Sequence, residues 1–322
     1  MKNATLRQLR VFESAARHLS LTRAAEELHL TPPAISIQIR QLEGHANVEL
    51  FERVGRRLRL TEAGEEVLAH TRQVLGHIRA AEEAIAGLGS LEQGLLDVGV
   101  INAGDHFFPW LVAAFREAHP GIRTRIVVGN REDLLERLAA HALDLAVMSH
   151  PPGESSFVAE PFAPHPHVIV ARSDHPLARR RGVPLRRIVE EPLITREPGS
   201  ATRLAMDQAF AEAGIVPRIE MEIASNETIK QAVAAGFGLG FLSQHCIEQE
   251  VALGRLAVLR VEGFPVMRQW YVVHRRGRRL PRIAEAFARF LVEEGARRIR
   301  EIAEGGRREA RGGRRAAGGG RP

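Results

Sequence analysis

Apolar residues recur at helical spacing in three short blocks near the start of the chain. The blocks predict helices over about residues 5–18, 20–28 and 31–43. Ser20 and Thr31 stand at the starts of the second and third helices, where their hydroxyl groups can cap the first turn. The two prolines after Thr31 fit this position, because amide groups in a first helical turn have no intrahelical partner.

A basic hairpin and a long helix follow these blocks. Residues 50–60 predict two short strands around a turn at Gly55. Thr61 then caps a helix that is predicted to run to about residue 87, with two parallel apolar rows that include Leu68, Thr71, Leu75 and Ile78, and Val67, Val74 and Ala81. A helix of this length needs a partner for its apolar side, so we interpret it as a dimerising coiled-coil helix. An ordinary core helix is the alternative.

Strands and helices alternate from about residue 91. The order strand–helix–strand–helix–strand over residues 95–148 predicts a parallel sheet with helices on its faces. A second α/β unit is predicted to begin near Val168, and a strand at 270–273 and a helix at 281–293 close the fold. The Gly/Arg/Ala-rich composition after residue 305 predicts disorder.

These patterns predict a winged helix-turn-helix domain joined by a long linker helix to a two-lobed α/β domain. The predicted segments are residues 1–60 for the first domain, 61–90 for the linker helix, 91–162 with 265–295 for the first lobe, 163–264 for the second lobe, and 296–322 for a basic, disordered tail.

Composition narrows the class of protein. A chain of 322 residues with 44% hydrophobic and 26% charged residues is typical of two or three globular units. Neither an apolar run of membrane-spanning length nor a signal-peptide pattern is present in the sequence, so we expect a cytoplasmic protein without a membrane partner. The single Cys246 has an apolar flank, which predicts a buried thiol in a reducing compartment.

Positive charge is concentrated at the two ends of the chain. Residues 1–60 contain ten Lys or Arg against six Asp or Glu, and residues 306–322 contain six Arg against one Glu. The residues between carry a net charge of −3. A basic head on a slightly acidic body is expected when only the head meets a polyanion. Charges that merely solubilise a surface are the alternative.

Three helices followed by a basic hairpin form the winged helix-turn-helix pattern of DNA-binding proteins. The third helix of this motif enters the major groove, while the hairpin holds phosphate groups. Ile35, Ile39 and Leu42 are predicted to face the core. The expected contacts with double-stranded DNA are Thr31, Pro32, Pro33, Ser36, Ile37 and Arg40 on the helix and Arg53, Arg56 and Arg57 on the hairpin. For any one of them, a solvated surface role is the alternative.

The first 65 residues resemble the LysR-type transcription regulators. The similar runs are Leu6–Phe12, Ser20–Leu28, Ala34–Glu43, Leu50–Arg53 and Leu60–Gly64, and a weaker similarity extends to about residue 295. Thr31–Ala34 and Ser225–Gly236 are similar to the Calvin-cycle operon regulators within that family. The resemblance implies a homodimer or homotetramer that binds promoter DNA, acts with RNA polymerase and activates carbon-fixation genes in response to a metabolite.

The resemblance also implies that an effector binds between the two lobes. Four predicted turns lie at strand ends or helix starts, where free amide groups favour an anion. The candidate effector contacts are Asn102, Ala103, Gly104, Gly129, Asn130, Arg131, Gly199, Ser200, Thr202, Arg203, Asn226 and Glu227. Simple helix capping is the alternative for each polar residue among them. A phosphorylated sugar or a nicotinamide nucleotide is the effector that the resemblance suggests.

Other motifs do not indicate an enzyme. Gly236, Gly238 and Gly240 follow a helix and precede a strand, the reverse of a dinucleotide-binding loop, and predict a close-packed turn. His165 and His167 lack a third ligand in the sequence nearby, so neither a metal nor a cofactor is expected. Two alternatives remain: a LysR-type regulator of another pathway, and a solute-binding protein or enzyme whose N-terminal helices form an interaction module.

Overall fold

The computed structural model describes residues 3–54, 57–86, 94–153 and 155–318. The chain divides into two compact units, residues 1–89 with 139–142 and residues 90–138 with 143–322. Among the described residues, no helix combines the length and the low polarity that crossing a bilayer requires.

The first unit contains the three short helices, the hairpin and the long helix that the apolar pattern predicts. Its elements are α1 (Leu6–His18), α2 (Leu21–Leu28), α3 (Pro32–Ala46), β1 (Phe51–Val54), β2 (Arg57–Leu60) and α4 (Glu62–Ala86). The side chains of Thr5, Ser20 and Thr31 each accept a hydrogen bond from the amide group three residues later. The predicted caps at Ser20 and Thr31 are therefore confirmed.

Two apolar clusters hold this unit together. Phe12, Leu42 and Leu50 are fully buried and pack with Leu68 of α4. Gly64 permits this contact, because a Cβ atom there would clash with the carbonyl oxygen of Leu50. The second cluster joins α1, α2 and α3 through Val11, Ala15, Ala24, Ala25, Ile35 and Ile39. Burial of this kind contributes about 25 cal/mol per Å² of apolar surface.

The second unit is an α/β domain. Its strands are β3 (Gly94–Ile101), β4 (Ile122–Gly129), β5 (Leu145–Met148), β6 (Phe157–Arg172), β7 (Leu193–Thr195), β8 (Ile219–Glu222), β9 (Leu239–Ser243), β10 (Leu256–Val258) and β11 (Val266–Arg275). Its helices are α5 (Phe108–Ala118), α6 (Arg131–Ala139), α7 (Leu185–Ile188), α8 (Ala201–Glu212), α9 (Asn226–Ala234), α10 (Glu248–Ala252) and α11 (Arg282–Gly318).

One continuous sheet runs through this unit in the order β4-β3-β5-β11-β6-β9-β7-β8, with β10 beside β6. Strand β3 is parallel to β4 and β5, and β7 is parallel to β8 and β9. The antiparallel pair of β6 and β11 connects these two halves, with a bulge at Phe162. The parallel βαβαβ order that the sequence predicts is thus present in the first half.

Strand β6 begins eleven residues before Val168, where the sequence predicts the second unit to begin. The strand was missed because Pro161, Pro164 and Pro166 interrupt its first half. All three lie opposite alternate residues of β11, at Tyr271, Gln269 and Met267. Their nitrogens therefore point to one edge, where β9 begins to pair only at His167. Proline is tolerated at such an open edge because no neighbouring strand needs the missing N–H group.

Helix α11 is much longer than the predicted helix at 281–293. It continues to Gly318, so the prediction of a disordered tail is wrong for residues 296–318. The apolar spacing persists, since Leu291 and Ile299 are buried two turns apart. Arg297 forms ion pairs with Glu294 and Glu301 at 2.5 and 2.6 Å on the outer face. The final residues, 319–322, lie outside the described residues.

Candidate DNA interface and effector cleft

The start of α3 presents an exposed face of short side chains. Thr31, Pro32 and Pro33 are exposed, and Ile37 is 47% exposed although it is apolar. Arg40 is exposed and its Nε donates to the carbonyl oxygen of Ser36, which is half-buried. The opposite face is the core-facing one, as predicted, with Ile35, Ile39 and Leu42 at 0%, 5% and 0% exposure.

Hydrogen bonds fix α3 relative to α1 and the hairpin. Gln8 Nε2 on α1 donates to Gln41 Oε1 at 3.2 Å. Glu43 Oε1 accepts from the amide groups of Leu50 and Phe51 at 2.9 and 3.3 Å. The exposed face is therefore held on a rigid scaffold, which preserves the register that base readout requires.

The hairpin contains basic residues on both strands. Arg53 is exposed on β1, Arg57 begins β2, and Arg59 is exposed opposite Glu52. Arg56 lies outside the described residues, so its contact with DNA stays a prediction. Arg59 was not among the residues that the sequence analysis proposed as DNA contacts. The alternation Arg-Leu-Arg in β2 could have identified it, because Arg57 and Arg59 then lie on the same face of the strand.

Two further arginines of this unit have contrasting surroundings. Arg23 is exposed in the first turn of α2, directly after the cap at Ser20, and it was also absent from the sequence candidates. Arg17 instead pairs with Glu27 at 2.6 Å and Glu13 at 3.4 Å. Burial lowers the pKa of Arg17, but the bonds to Glu27 and Glu13 raise it overall. Arg17 is therefore a structural cation, whereas the guanidinium of Arg23 has no acidic partner among the residues that the structure describes.

In the second unit, the carboxyl ends of β3, β4 and β7 open on a common narrow cleft. Seven of the sequence candidates line it: Asn102, Ala103, Gly129, Asn130, Arg131, Ser200 and Thr202. The free volume of this cleft is about 20 Å³. On this measure a single water molecule needs roughly 10–15 Å³, so the cleft has room for about one water and is too narrow for a metabolite in this conformation.

Asn226 forms one hydrogen bond across the closed cleft and one within its own lobe. Its Nδ2 donates to the carbonyl oxygen of Asn102 at 3.3 Å, and its Oδ1 accepts from Arg196 at 2.9 Å. Arg196 is only 3% exposed and also forms two hydrogen bonds with Glu197 at 2.7 and 2.8 Å. Sequence reasoning missed Arg196, because nothing in the local pattern shows that it points inward from the end of β7.

The predicted cation Arg203 does not line the cleft. Its guanidinium binds Asp207, Glu222 and the carbonyl oxygen of Arg196 at 2.9, 2.7 and 3.2 Å. Burial lowers the pKa of Arg203, but the bonds to Glu222 and Asp207 raise it overall. The two carboxylates balance its charge, so Arg203 supports α8 and the Arg196 backbone.

Arg131 is the predicted cation that does line the cleft. Its Nε donates to the carbonyl oxygen of His150 at 3.3 Å. Within the described part of the chain, no carboxylate lies within ion-pair distance of its guanidinium. Burial, followed by the charges of Arg131 and Arg268, lowers the pKa of His150. The charge of Arg131 is therefore available to an anion.

The remaining candidates lie around the cleft and not in its wall. Gly104 is buried behind it, where a Cβ atom would meet Val100 at 2.6 Å. Gly199 is exposed with φ +84°, at the turn before α8. Glu227 points outward and pairs with Lys230 at 2.6 Å. Hydrogen bonds from Lys230 and Gln231 lower the pKa of Glu227.

Comparison with known proteins identifies both units. Residues 6–65 match the model of the bacterial regulatory helix-turn-helix protein, lysR family, and residues 89–296 match the LysR substrate binding domain. The chain belongs to the LysR family of transcription regulators. Its members combine a DNA-binding head with a sensing domain, as the sequence predicts.

Two relatives match this LysR family member over nearly its whole length. The RuBisCO operon transcriptional regulator of Allochromatium vinosum is 46% identical over 92% of this chain and 98% of its own. The regulator CfxR of Cupriavidus necator is 44% identical over 92% and 93% of the two chains. Among solved structures, the regulatory domain of Synechocystis CcmR in complex with 2-PG is 38% identical, with a TM-score of 0.59, over 62% of this chain and 96% of its own.

Three motifs without a predicted catalytic or metal-binding role have structural roles in this LysR family member: a glycine turn, the single cysteine and a pair of histidines. Gly236 and Gly238 have φ +88° and +157° in the turn from α9 to β9, and a Cβ atom on Gly238 would clash with the Pro192 carbonyl oxygen. This is the close-packed turn that was predicted. Cys246 is buried, and burial raises the pKa of its thiol to about 12.

His165 and His167 lie in the interior with no hydrogen-bond partner for any ring nitrogen. The described residues contain no cluster of three metal-ligating side chains. Burial lowers the pKa of His165 well below its usual value and that of His167 to about 3. Both rings are therefore neutral at physiological pH.

Proposed function

We propose that this LysR family member is a metabolite-responsive activator of carbon-fixation genes. The observation that carries the proposal is the 46% identity, over 92% of the chain, to a RuBisCO operon transcriptional regulator. A LysR-type regulator of another pathway would share the fold, so the target promoter has to be measured directly.

The head binds promoter DNA with the α3 face in the major groove and the hairpin arginines on phosphates. Arg23 and Arg59 add two phosphate contacts to those predicted from the sequence. The protein acts as a dimer of dimers on a pseudo-palindromic site, so that protein and operator symmetry match. Val74 on α4 is 41% exposed, which supports this helix as part of a subunit contact. An activator of this kind also contacts RNA polymerase.

The effector is a small anion, either a phosphorylated sugar or a nicotinamide nucleotide. Arg131 supplies an available positive charge, and the amide groups at the start of α8, beside Ser200, face the same cleft. A helix N-terminus with a nearby arginine is a common anion site. The complex of the similar CcmR domain with 2-PG supports this class of ligand.

Effector entry requires the cleft to open. The bond of Asn226 to Asn102 joins the second lobe to the first and contributes about 0.5–1.5 kcal/mol in the closed form, while the bond from Arg196 positions Asn226 within the second lobe. An effector that binds the open form more tightly shifts the equilibrium toward it. We propose that this movement changes the angle between the DNA heads, and so the bend of the promoter.

Footprinting on two promoters tests the proposal. One DNA fragment carries the promoter of a RuBisCO operon from the same genome, and the other carries an unrelated promoter of equal length. We expect binding to the first to be tighter by at least about 1,000-fold, which is typical of specific over non-specific binding. We also expect 2-PG or another phosphorylated metabolite to change the footprint or the bend angle. Equal affinity for both promoters would contradict the carbon-fixation assignment.

A further inference from the structure

A cavity of about 250 Å³ lies in the α/β unit, apart from the effector cleft. It is bordered by the start of α5, the turn before α10 and the later part of α11. Its apolar wall includes Phe107, Trp110, Ile299 and Ile302, and Trp110 is 63% exposed. An apolar cavity of about 150 Å³ is large enough to hold benzene. This cavity therefore has room for one aromatic ring with a small substituent.

The charged side chains of the cavity wall already have partners. Lys230 Nζ binds Glu227 at 2.6 Å and Glu250 Oε1 at 2.8 Å, and its side chain is 4% exposed. Burial lowers the pKa of Lys230, but the bonds to these two carboxylates raise it overall. Glu248, which also lines the cavity, is not a free carboxylate either. A charged ligand would lose its water here without meeting an unpaired opposite charge, so the wall favours a neutral molecule.

His245 provides a neutral hydrogen-bond donor in the same wall. Its Nδ1 accepts a hydrogen bond from Trp270 Nε1 at 3.2 Å, so the ring proton of the neutral form is on Nε2. Burial lowers the pKa of His245 to about 4, and the ring is therefore neutral at physiological pH.

The Nε2–H group of His245 is available to a ligand. It forms no hydrogen bond with any residue that the structure describes. The ring nitrogens of His165 and His167 also lack partners, but they are fully buried, whereas Nε2 of His245 is accessible. Because the Nδ1 side of this ring is turned toward the buried Trp270, the Nε2 side remains for the cavity. The wall thus offers a donor that lacks an acceptor.

We propose that this cavity is a second ligand site, which takes a small neutral aromatic molecule with one hydrogen-bond acceptor. The ring lies against Phe107, Trp110 and Ile302, and a carbonyl or hydroxyl oxygen accepts from His245 Nε2. Phe107 meets the His245 ring edge-on, with the ring centroids 5.5 Å apart, so the donor and the aromatic wall are neighbours. The volume is below the range of roughly 300–1,000 Å³ of drug-sized pockets, which limits the ligand to one ring.

The cavity and the effector cleft are adjacent but separate. Cys246 lines the cavity, and its Sγ donates to the carbonyl oxygen of Ala103 at 3.4 Å. Ala103 in turn lines the cleft. Among the described residues, none lines both the cavity and the cleft. A substitution in the cleft can therefore show whether a probe has bound there or in the cavity.

Four probes of similar size test the site on the full-length protein without DNA. Benzamide is the neutral ring with an acceptor, toluene lacks the acceptor, and benzoate and benzylamine carry opposite charges. Calorimetry gives the four affinities. We expect benzamide to bind at least about fivefold more tightly than toluene, the effect of one hydrogen bond. It should bind at least about tenfold more tightly than either charged probe, because the charges of the wall are paired.

Three variants locate the binding. His245→Asn keeps an oxygen that can accept from Trp270 but removes the Nε2–H group, so benzamide affinity should fall about fivefold while toluene affinity changes less than about twofold. Ala303→Phe fills the cavity from α11 and should abolish benzamide binding. Arg131→Gln alters the effector cleft and should leave benzamide affinity unchanged. Thermal unfolding reports whether each variant is folded.

Four outcomes would overturn the proposal. These are binding of toluene or a charged probe as tight as that of benzamide, no saturable binding of any probe, unchanged benzamide affinity in folded His245→Asn or Ala303→Phe, and loss of benzamide binding in Arg131→Gln. The last result would place benzamide in the effector cleft. None of these outcomes depends on the promoter or on the anionic effector.

Discussion

The DNA-binding head and the effector cleft place their polar groups in opposite ways. The head has an apolar interior around Phe12 and Leu42, and its candidate contacts point outward from one stretch of chain. The cleft brings together Asn102 and Asn226, 124 positions apart, and its Arg196 is 3% exposed. The candidate contacts of the head are therefore exposed as they stand, whereas the opening proposed for the cleft would first break the hydrogen bond between Asn226 and Asn102.

This difference predicts two kinds of response to substitution. Removing an exposed contact of the head subtracts binding energy without disturbing the fold. Removing a cleft residue changes both the ligand contact and the balance between closed and open forms. The largest losses of DNA affinity are therefore expected from substitutions in the head. Substitutions in the α/β unit should have smaller effects, divided between effector affinity and the balance of closed and open forms.

The largest effect is expected from replacing Ser36, Arg53 and Arg56 together with alanine. Base contacts contribute about 1–3 kcal/mol each and phosphate contacts steepen the salt dependence. We expect promoter affinity to fall by at least about 100-fold, with a shallower log–log salt slope. Fluorescence anisotropy at several salt concentrations measures both.

The control for this variant removes an exposed charge from the other unit. Arg181→Ala lies in an exposed loop before α7 and should leave promoter affinity unchanged. Circular dichroism and unfolding curves show whether the triple variant keeps its fold. If a folded triple variant binds the promoter as tightly as the unchanged protein, α3 and the hairpin are not the DNA interface.

The same contrast explains what the sequence could and could not predict. Helix periodicity and the caps at Ser20 and Thr31 depend on neighbouring residues, so local pattern sufficed for the head. In the cleft, a sequence pattern indicates that Arg203 follows a helix cap, but not that Asp207 and Glu222 occupy its guanidinium. Arg196 carries no local signal, because its bond to Asn226 exists only after the sheet has formed.

The second prediction concerns the pH dependence of stability. The buried histidines His167 and His245 lie in the α/β unit and not in the head, so acid should destabilise the α/β unit. His167 and His245 have folded-state pKa values of about 3 and about 4, against about 6.5 for unfolded histidine, because burial disfavours the charged ring. The unfolded chain therefore takes up protons first as the pH falls. The free energy of unfolding therefore has its full value above about pH 6.5. Below that pH it declines by roughly 1.4 kcal/mol per pH unit for each ring.

Denaturant unfolding between about pH 7 and about pH 5 checks this expectation. At about pH 5, each of the two rings should have lowered the free energy of unfolding by about 2 kcal/mol relative to about pH 7. His167→Leu should flatten the pH dependence, because its ring nitrogens have no hydrogen-bond partner to lose. An unchanged slope in this variant would show that other groups cause the acid sensitivity.

The third prediction separates the two arginines that the sequence treated alike. Arg131→Gln should weaken binding of 2-PG or another phosphorylated effector about tenfold, because a charge-assisted contact is lost. Arg203→Gln should change that affinity less than about twofold, yet lower the free energy of unfolding by about 1 kcal/mol, because its three bonds support α8. Calorimetry and unfolding curves give the two values. The opposite pattern would place the effector against Arg203.

The smallest effect is expected from removing the basic C-terminal residues. This change tests whether the head is the only part of the protein that contacts DNA. Residues 306–322 contain six arginines, and a shortened chain that ends at Gly305 loses them all. If they contact phosphates, the log–log salt slope should become shallower by about 1 while promoter preference is retained. A chain that ends at Gly318 loses only Arg321 of the six and is the matched control. Identical slopes for the two shortened chains would assign all of the phosphate contacts to the head.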